Sequence, residues 1–265
     1  MTGDPWLATV AEALRATSPE AKCAAVAALR APTEQPAHAG NEGLPNAAHP
    51  GRPQHPVLVH PREVAHRGLG TPAGRVALLH AVAHIEFNAI NLALDAIVRF
   101  GGLPLAYYYD WWSVAQDEAR HFQMLVRRLQ DYDAHYGDLP AHNGLWEMAE
   151  KTAQDPLHRM ALVPRVLEAR GLDVTPGMIQ RLEQAGDHDS AAILRTILAE
   201  EVHHVAIGSH WFNWHCAQRG LTPEATFVAL LSDYGVHIRP PLNQSARREA
   251  GFSTVELEDL GSSIR

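Results

Sequence analysis

From Arg75 to Phe100 the chain reads RVALLHAVAHIEFNAINLALDAIVRF, with apolar residues recurring at intervals of three and four. One glutamate, Glu86, stands inside that stripe. Its neighbours one and two helical turns away are Leu79, Val82, Ala83, Ile90, Ala93 and Ile97. An ionised carboxylate in such company costs several kcal/mol unless it is paired, protonated or bound to a metal ion. The pattern recurs. Glu118 sits among Val114, Ala115, Phe122 and Leu125, and Glu201 among Leu194, Ile197, Leu198 and Val205. Glu168 is a single glutamate on a further helical stretch. Four acidic side chains facing one interior need cations, and that requirement limits what the chain can fold into.

The texture around these residues is helical throughout. Residues 5–30 read as one or two short Ala-rich helices, with Ser18-Pro19-Glu20 as a start signal. Long helices are expected over 75–100, ended by Gly101-Gly102, over 104–135, and over 144–170 with a kink at Pro164. A short helix over 176–185, a long one over 189–219 and a last one over 223–234 follow, before a polar tail at 239–265. No strand hairpin signal is present, so the fold class is all-α. Between Ala31 and Pro72 lie eight of the 18 prolines, five of the 19 glycines and five histidines. That stretch is an irregular strap, either disordered or wrapped over the surface as a cover. The expected organisation is N-terminal helices and strap at 1–74, a helical bundle at 75–235 and a tail packed on it at 236–265.

Glu-x-x-His puts a carboxylate and an imidazole on one helix face, as two ligands to one metal ion require. Among 265 residues with 17 histidines, chance supplies roughly one such match. This chain has four: Glu63/His66, Glu118/His121, Glu200/His203 and Glu201/His204. The first lies in the strap and is read as a decoy. DEARHF (117–122) and EEVHHV (200–205) share the order acid, Glu, two spacers, His and apolar, which favours Glu201/His204 over Glu200/His203. Spacing adds a check. Two antiparallel helices hold ligands at one level when their turn falls midway between them, and the midpoint of Glu86 and Glu118 is residue 102, at the Gly101-Gly102 turn. Glu168 and Glu201 fit less well, because Gly171 ends the expected third helix just past its glutamate.

One glutamate from each of two helices plus Glu-x-x-His from each of two others is the ligand set of ferritin-like dinuclear carboxylate bundles. Hard carboxylates with two imidazoles suit two iron ions, or manganese, or a mixed pair. Asp117 and Glu200, each preceding a ligand, are candidate partners for a ligand histidine's second N–H.

The segments HIEFNAINLALDAIVRF, DWWSVAQDEARHF, YGDLPAHNGLWEMAEKTAQDPLHRMALVPRVLEARGLDVTPGMI and EEVHHVAIGSHWF resemble a widespread bacterial family of ferritin-like proteins, domain-of-unknown-function family 455. The likeness covers about 75–250. It implies a ferritin-like four-helix bundle and a dinuclear site held by Glu86, Glu118, His121, Glu168, Glu201 and His204. It implies no particular reaction. His203 stands where the family pattern has a small residue, which leaves a third imidazole open.

Composition narrows the function. A net charge of -8 lacks the basic surplus used to neutralise nucleic-acid phosphates. An RNA substrate is kept only by analogy with a superfamily relative that hydroxylates a modified base in transfer RNA. Two cysteines, Cys23 and Cys216, form no disulfide framework, and with no leader-like N-terminus or 20-residue apolar span the expected setting is cytoplasmic. His80 and His84 point away from Glu86 and read as solvated or structural. Tyr107, Tyr108, Tyr109, Trp111 and Trp112 read as core and cap packing, and Arg159, Arg165 and Arg170 as surface pairs. The expected function is an O₂- or peroxide-activating oxidoreductase acting on a small molecule, as a monomer or small homo-oligomer. Metal handling without an organic substrate is the alternative, and a fossil scaffold that binds metal only structurally, or not at all, is the third.

Overall fold

A computed structural model describes residues 4–37, 49–64 and 67–262. All regular elements among them are helical, and their only β-type pairing is an isolated parallel bridge between Leu58 and Ala141. The chain forms two compact units, Met1–Glu150 and Lys151–Arg265.

The first unit is built on a hairpin of two long helices, α3 (Pro72–Arg99) and α4 (Leu105–Gln130). Thr71 caps α3, its hydroxyl accepting from the Gly74 amide with Pro72 at the first helical position, so the helix starts three residues before Arg75. Gly102 makes the turn at φ +75°, a conformation that a side chain strains. α4 stops short of the expected His135 because Asp131–Asp133 form a turn, with Asp133 left-handed at φ +54° and the Ala134 amide bonded back to Leu129 O. α3 is long and apolar enough to cross a membrane by length and composition, more so than the sequence reading allowed. Most of that stretch is buried, as the core helix of a folded unit is.

Two short helices cover this hairpin. α1 (Pro5–Arg15) packs on α3, and α2 (Pro19–Ala28), capped by Ser18 as its sequence signals, packs on α4. Lys22 of α2 is fully buried, and its Nζ donates to Ala13 O and Leu14 O, two carbonyls at the C-terminal end of α1. Burial lowers its pKa to about 7. Tyr107 and Tyr108 are buried and donate to Ala96 O and Phe100 O, the core and cap role expected of them. Residues 49–64 of the strap lie along this unit. The Gly51 amide bonds Leu14 O, Val59 N donates to Ala141 O, and Ala141 N to Val57 O. A 3₁₀ turn at Pro61–Glu63 carries Glu63 exposed, while His66 and residues 38–48 lie outside the described residues.

The expected helix over 144–170 is three pieces. α5 (Gly144–Lys151) ends before Asp155, which Pro156 holds extended at φ -141°, ψ 116° and whose carboxylate caps α6 (Pro156–Leu162). Pro164, expected to kink the helix, instead sits in a π-helical turn, Val163–Glu168, where the wider turn accommodates its ring and missing N–H. α7 then runs unbroken from Ala169 to Gln184, through both Gly171 and Pro176, so the separate helix expected at 176–185 does not exist. The reason lies seventy residues away. Pro176 cannot donate to Leu172 O, and the Asn243 side-chain amide donates there instead, at 3.1 Å.

The 239–265 segment is more than a polar tail. It forms α10 (Gln244–Glu249) and α11 (Thr254–Ser262) and buries Phe252, Leu257 and Leu260. Arg247, fully buried, pairs with Asp173 at 2.7 Å. Arg165 is equally buried and donates to Glu256 at 2.7 Å, with Phe212, Phe227 and Phe252 rings 4.3–4.5 Å from its guanidinium carbon. Arg159 is buried against Thr152, and only Arg170 is partly exposed, pairing with Asp173 at 3.7 Å. The surface-pair reading therefore fails for Arg159 and Arg165. Both lie on the inward side of the segment, which helical spacing alone could not orient.

α7 turns through Gly186, at φ +75°, into α8 (His188–Gln218). Where α8 passes the π turn, a Cβ built on Gly208 would lie 2.3 Å from Pro164 Cβ. Gly208→Ala is expected to destabilise the protein by about 1–3 kcal/mol through overpacking. Urea unfolding followed by far-ultraviolet circular dichroism measures it.

Candidate metal centre

In the first unit α3 and α4 bring together three of the sequence-predicted ligands. Glu86 is 4% exposed, Glu118 1% and His121 0%. His121 Nδ1 lies 3.2 Å from Glu86 Oε2 and 3.6 Å from Glu118 Oε2, and the three groups offer ligand atoms within 4.8 Å of one another. Such a group is able to hold a metal ion. The meeting follows from register, since residues 86 and 118 are equidistant from Gly102.

The electrostatics are those of acids crowded out of water. Burial first, and then the Glu118 charge, raise the Glu86 pKa to about 8. For His121 burial acts downward, but the hydrogen bonds and charges of Glu118 and Glu86 prevail and hold its pKa at about 11. Protons thus supply the positive charge that a cation would otherwise bring.

The second unit carries the other three. His204 is 1% exposed and its Nδ1 lies 3.1 Å from Glu201 Oε1, so this pair shares one face of α8 as the motif demands. Glu168 is buried and closes the π turn. Pro164 against Gly208 sets the pairing of the π turn with α8. Counted along the chain, Glu168 and His204 are each 18 residues from Gly186. α7 continues through Gly171, so the helix does not stop just past Glu168 as expected.

The three flanking candidates stand differently. Asp117, half-buried, pairs with Arg120 at 2.7 Å; Glu200 is half-buried; His203 is exposed. His80 and His84 are buried, not solvated. His80 Nε2 accepts from the Gly137 amide, and His84 Nδ1 lies 2.9 Å from Tyr136 Oη. Sequence reasoning gave no role to Arg52 or Tyr136, which lie outside the helices where periodicity can point inward. Cys23 and Cys216 are free and buried, as expected.

The model of the family "Protein of unknown function (DUF455)" matches residues 15–258. The chain belongs to this family. It is also similar to an uncharacterized protein of Haemophilus influenzae, 47% identical over 214 residues, covering 78% of this chain and 74% of that one. No solved structure matches.

Metal ligands bind deprotonated, so uptake at the Glu86–Glu118–His121 group displaces the protons held there. Calorimetric titration of Fe²⁺ or Mn²⁺ near pH 7 in buffers of different ionisation enthalpy should show proton release. Apparent affinity should rise as pH is raised from 6 toward 8, and Glu86→Gln should release fewer protons.

Proposed function

We propose that this DUF455 protein is a ferritin-like four-helix bundle in which the two half-sets, Glu86/Glu118/His121 and Glu168/Glu201/His204, close on one dinuclear iron or manganese site. The observation that carries the reading is the burial of Glu86, Glu118 and His121 within one ligand-sized group. A purely structural cluster needs no more than one carboxylate per imidazole, and here two carboxylates face one. The same glutamate-plus-Glu-x-x-His set recurs in the second unit.

In this reading Glu86, Glu118, Glu168 and Glu201 would supply the carboxylates, and His121 and His204 the imidazoles, that hold the two ions. Two such ions supply redox equivalents for activating dioxygen or peroxide, which makes an oxidoreductase with a small organic substrate the function the chemistry favours. The chain's own contribution is exclusion of water and charge balance. The protons that Glu86 and His121 hold in the buried cluster are those a divalent ion would replace.

Protein grown with iron and with manganese, analysed for metal, then loaded anaerobically with Fe²⁺ and exposed to oxygen, tests this. The expected result is about two ions per chain and a near-ultraviolet charge-transfer band after oxygen. Both Glu118→Ala and Glu201→Ala should lower the stoichiometry. Retention of metal in Glu201→Ala would separate the two half-sets, and absence of metal in the wild type would overturn the reading entirely. Oxygen consumption only in step with ferrous oxidation, with no added organic compound altering it, would favour metal handling instead.

A further inference from the structure

On the other side of α3 from Glu86, the ordered strap residues 52–58 roof a cavity of about 250 Å³. Its walls are mostly apolar, formed by Pro56, Val57, Leu58, Phe87 and the Tyr136 ring, with Arg52, Gln54, His84 and Asn88 as polar groups. The roof is pinned at both ends, by Gly51 N to Leu14 O on one side and by the two backbone bonds between residues 57–59 and Ala141 on the other. None of these residues belongs to the set assigned to metal.

Arg52 brings a cation to this apolar space without a carboxylate to match it. Its Nη1 donates to Asn143 Oδ1 at 2.7 Å and its guanidinium lies over the Trp146 ring, 5.8 Å from the centroid. Among the described residues it forms no ion pair. Glu150 is near enough to support its charge, but that carboxylate accepts from Trp146 Nε1. Both Arg52 contacts are neutral, so the guanidinium is held in place with its charge available.

A second donor comes from the hydrogen-bond chain behind it. His84 is buried, and each of its ring nitrogens has a polar neighbour. Nε2 lies 3.0 Å from Asn88 Nδ2, which can only donate, and 3.2 Å from His142 O, which can only accept. When Nε2 accepts from Asn88, Nδ1–H donates to Tyr136 Oη at 2.9 Å, and the tyrosine hydroxyl hydrogen is left for a ligand in the cavity. In the other tautomer that hydrogen is spent on His84.

We propose that this cavity binds a small molecule with a flat apolar body and a single carboxylate, the body between Pro56, Val57 and Phe87 and the carboxylate accepting from Arg52 and the Tyr136 hydroxyl. The cavity is below the roughly 300–1,000 Å³ of drug-sized pockets, which limits the ligand to about one ring with its substituents. One cation and one hydroxyl match a monoanion, whereas a phosphate would call for more donors. The assignment is independent of the dinuclear reading.

Benzoate is the probe, titrated into the purified full-length protein and followed by Trp146 fluorescence and calorimetry, with benzyl alcohol as the uncharged counterpart and inorganic phosphate as the compact anion. Saturable one-to-one binding of benzoate is expected, tighter than either. Arg52→Gln should weaken benzoate about tenfold, the loss of one charge-assisted contact, and leave benzyl alcohol unchanged. Tyr136→Phe should weaken it a few-fold while keeping the ring. Val57→Trp, at a half-exposed rim position, should block benzoate without disturbing the core, and carries the test if Arg52→Gln fails to fold. No saturable benzoate binding, equal binding of benzyl alcohol or phosphate, or undiminished binding in a folded Arg52→Gln or Val57→Trp variant would each overturn the proposal.

Discussion

A carboxylate withdrawn from water must find positive charge, and in this protein that requirement falls on helices that are otherwise apolar. Glu86 and Glu118 meet across the α3–α4 hairpin with one imidazole between them. In a medium of low dielectric the repulsion of two carboxylates at that range far exceeds the roughly 1 kcal/mol it would cost in water. The group therefore holds protons when it holds no cation, which is why Glu86 is pushed up and His121 is kept charged. Replacing those groups with leucines would give a more stable hairpin by ordinary packing. That the chain carries the acids anyway is the physical argument for a bound cation.

Much of this arrangement was legible because it is local. A stripe of apolar residues with period 3.6 fixes which side of α3 is inward, and Glu86 lies in the stripe. The Gly101-Gly102 turn fixes the level, since a hairpin that turns at Gly102 pairs 86 with 118. The second hairpin, which turns at Gly186, was hidden by two false stops. Gly171 and Pro176 are residues that usually end helices, and α7 passes through both. Pro176 is tolerated because Asn243 donates to the carbonyl it orphans. No window around residue 176 contains that information.

The same limit explains the arginines and the tail. Arg159 and Arg165 look like solvent-facing charges in a helical window, yet each is buried with a partner supplied by another segment: Thr152 for one, and Glu256 with three phenylalanine rings for the other. The C-terminal residues look polar because their apolar side chains are few, but Phe252, Leu257 and Leu260 are buried. Charge in a sequence marks where a cation or anion is, and burial is decided by residues far away in the chain.

α3 shows how one helix serves two polar environments of opposite character. Its Glu86 face meets His121 in a cluster that carries charge, while its His84–Asn88 face meets Tyr136 in a cluster kept neutral by burial. Between them lies an aromatic layer: Phe87 against Phe122 with centroids 5.4 Å apart, and both against Tyr136. The layer is aromatic, with Lys22 Nζ 5.7 Å from the Phe87 centroid. The aromatic run through Phe87 therefore matters to the acidic cluster, because it stands where acids and a buried histidine sit within one turn of each other on a single helix.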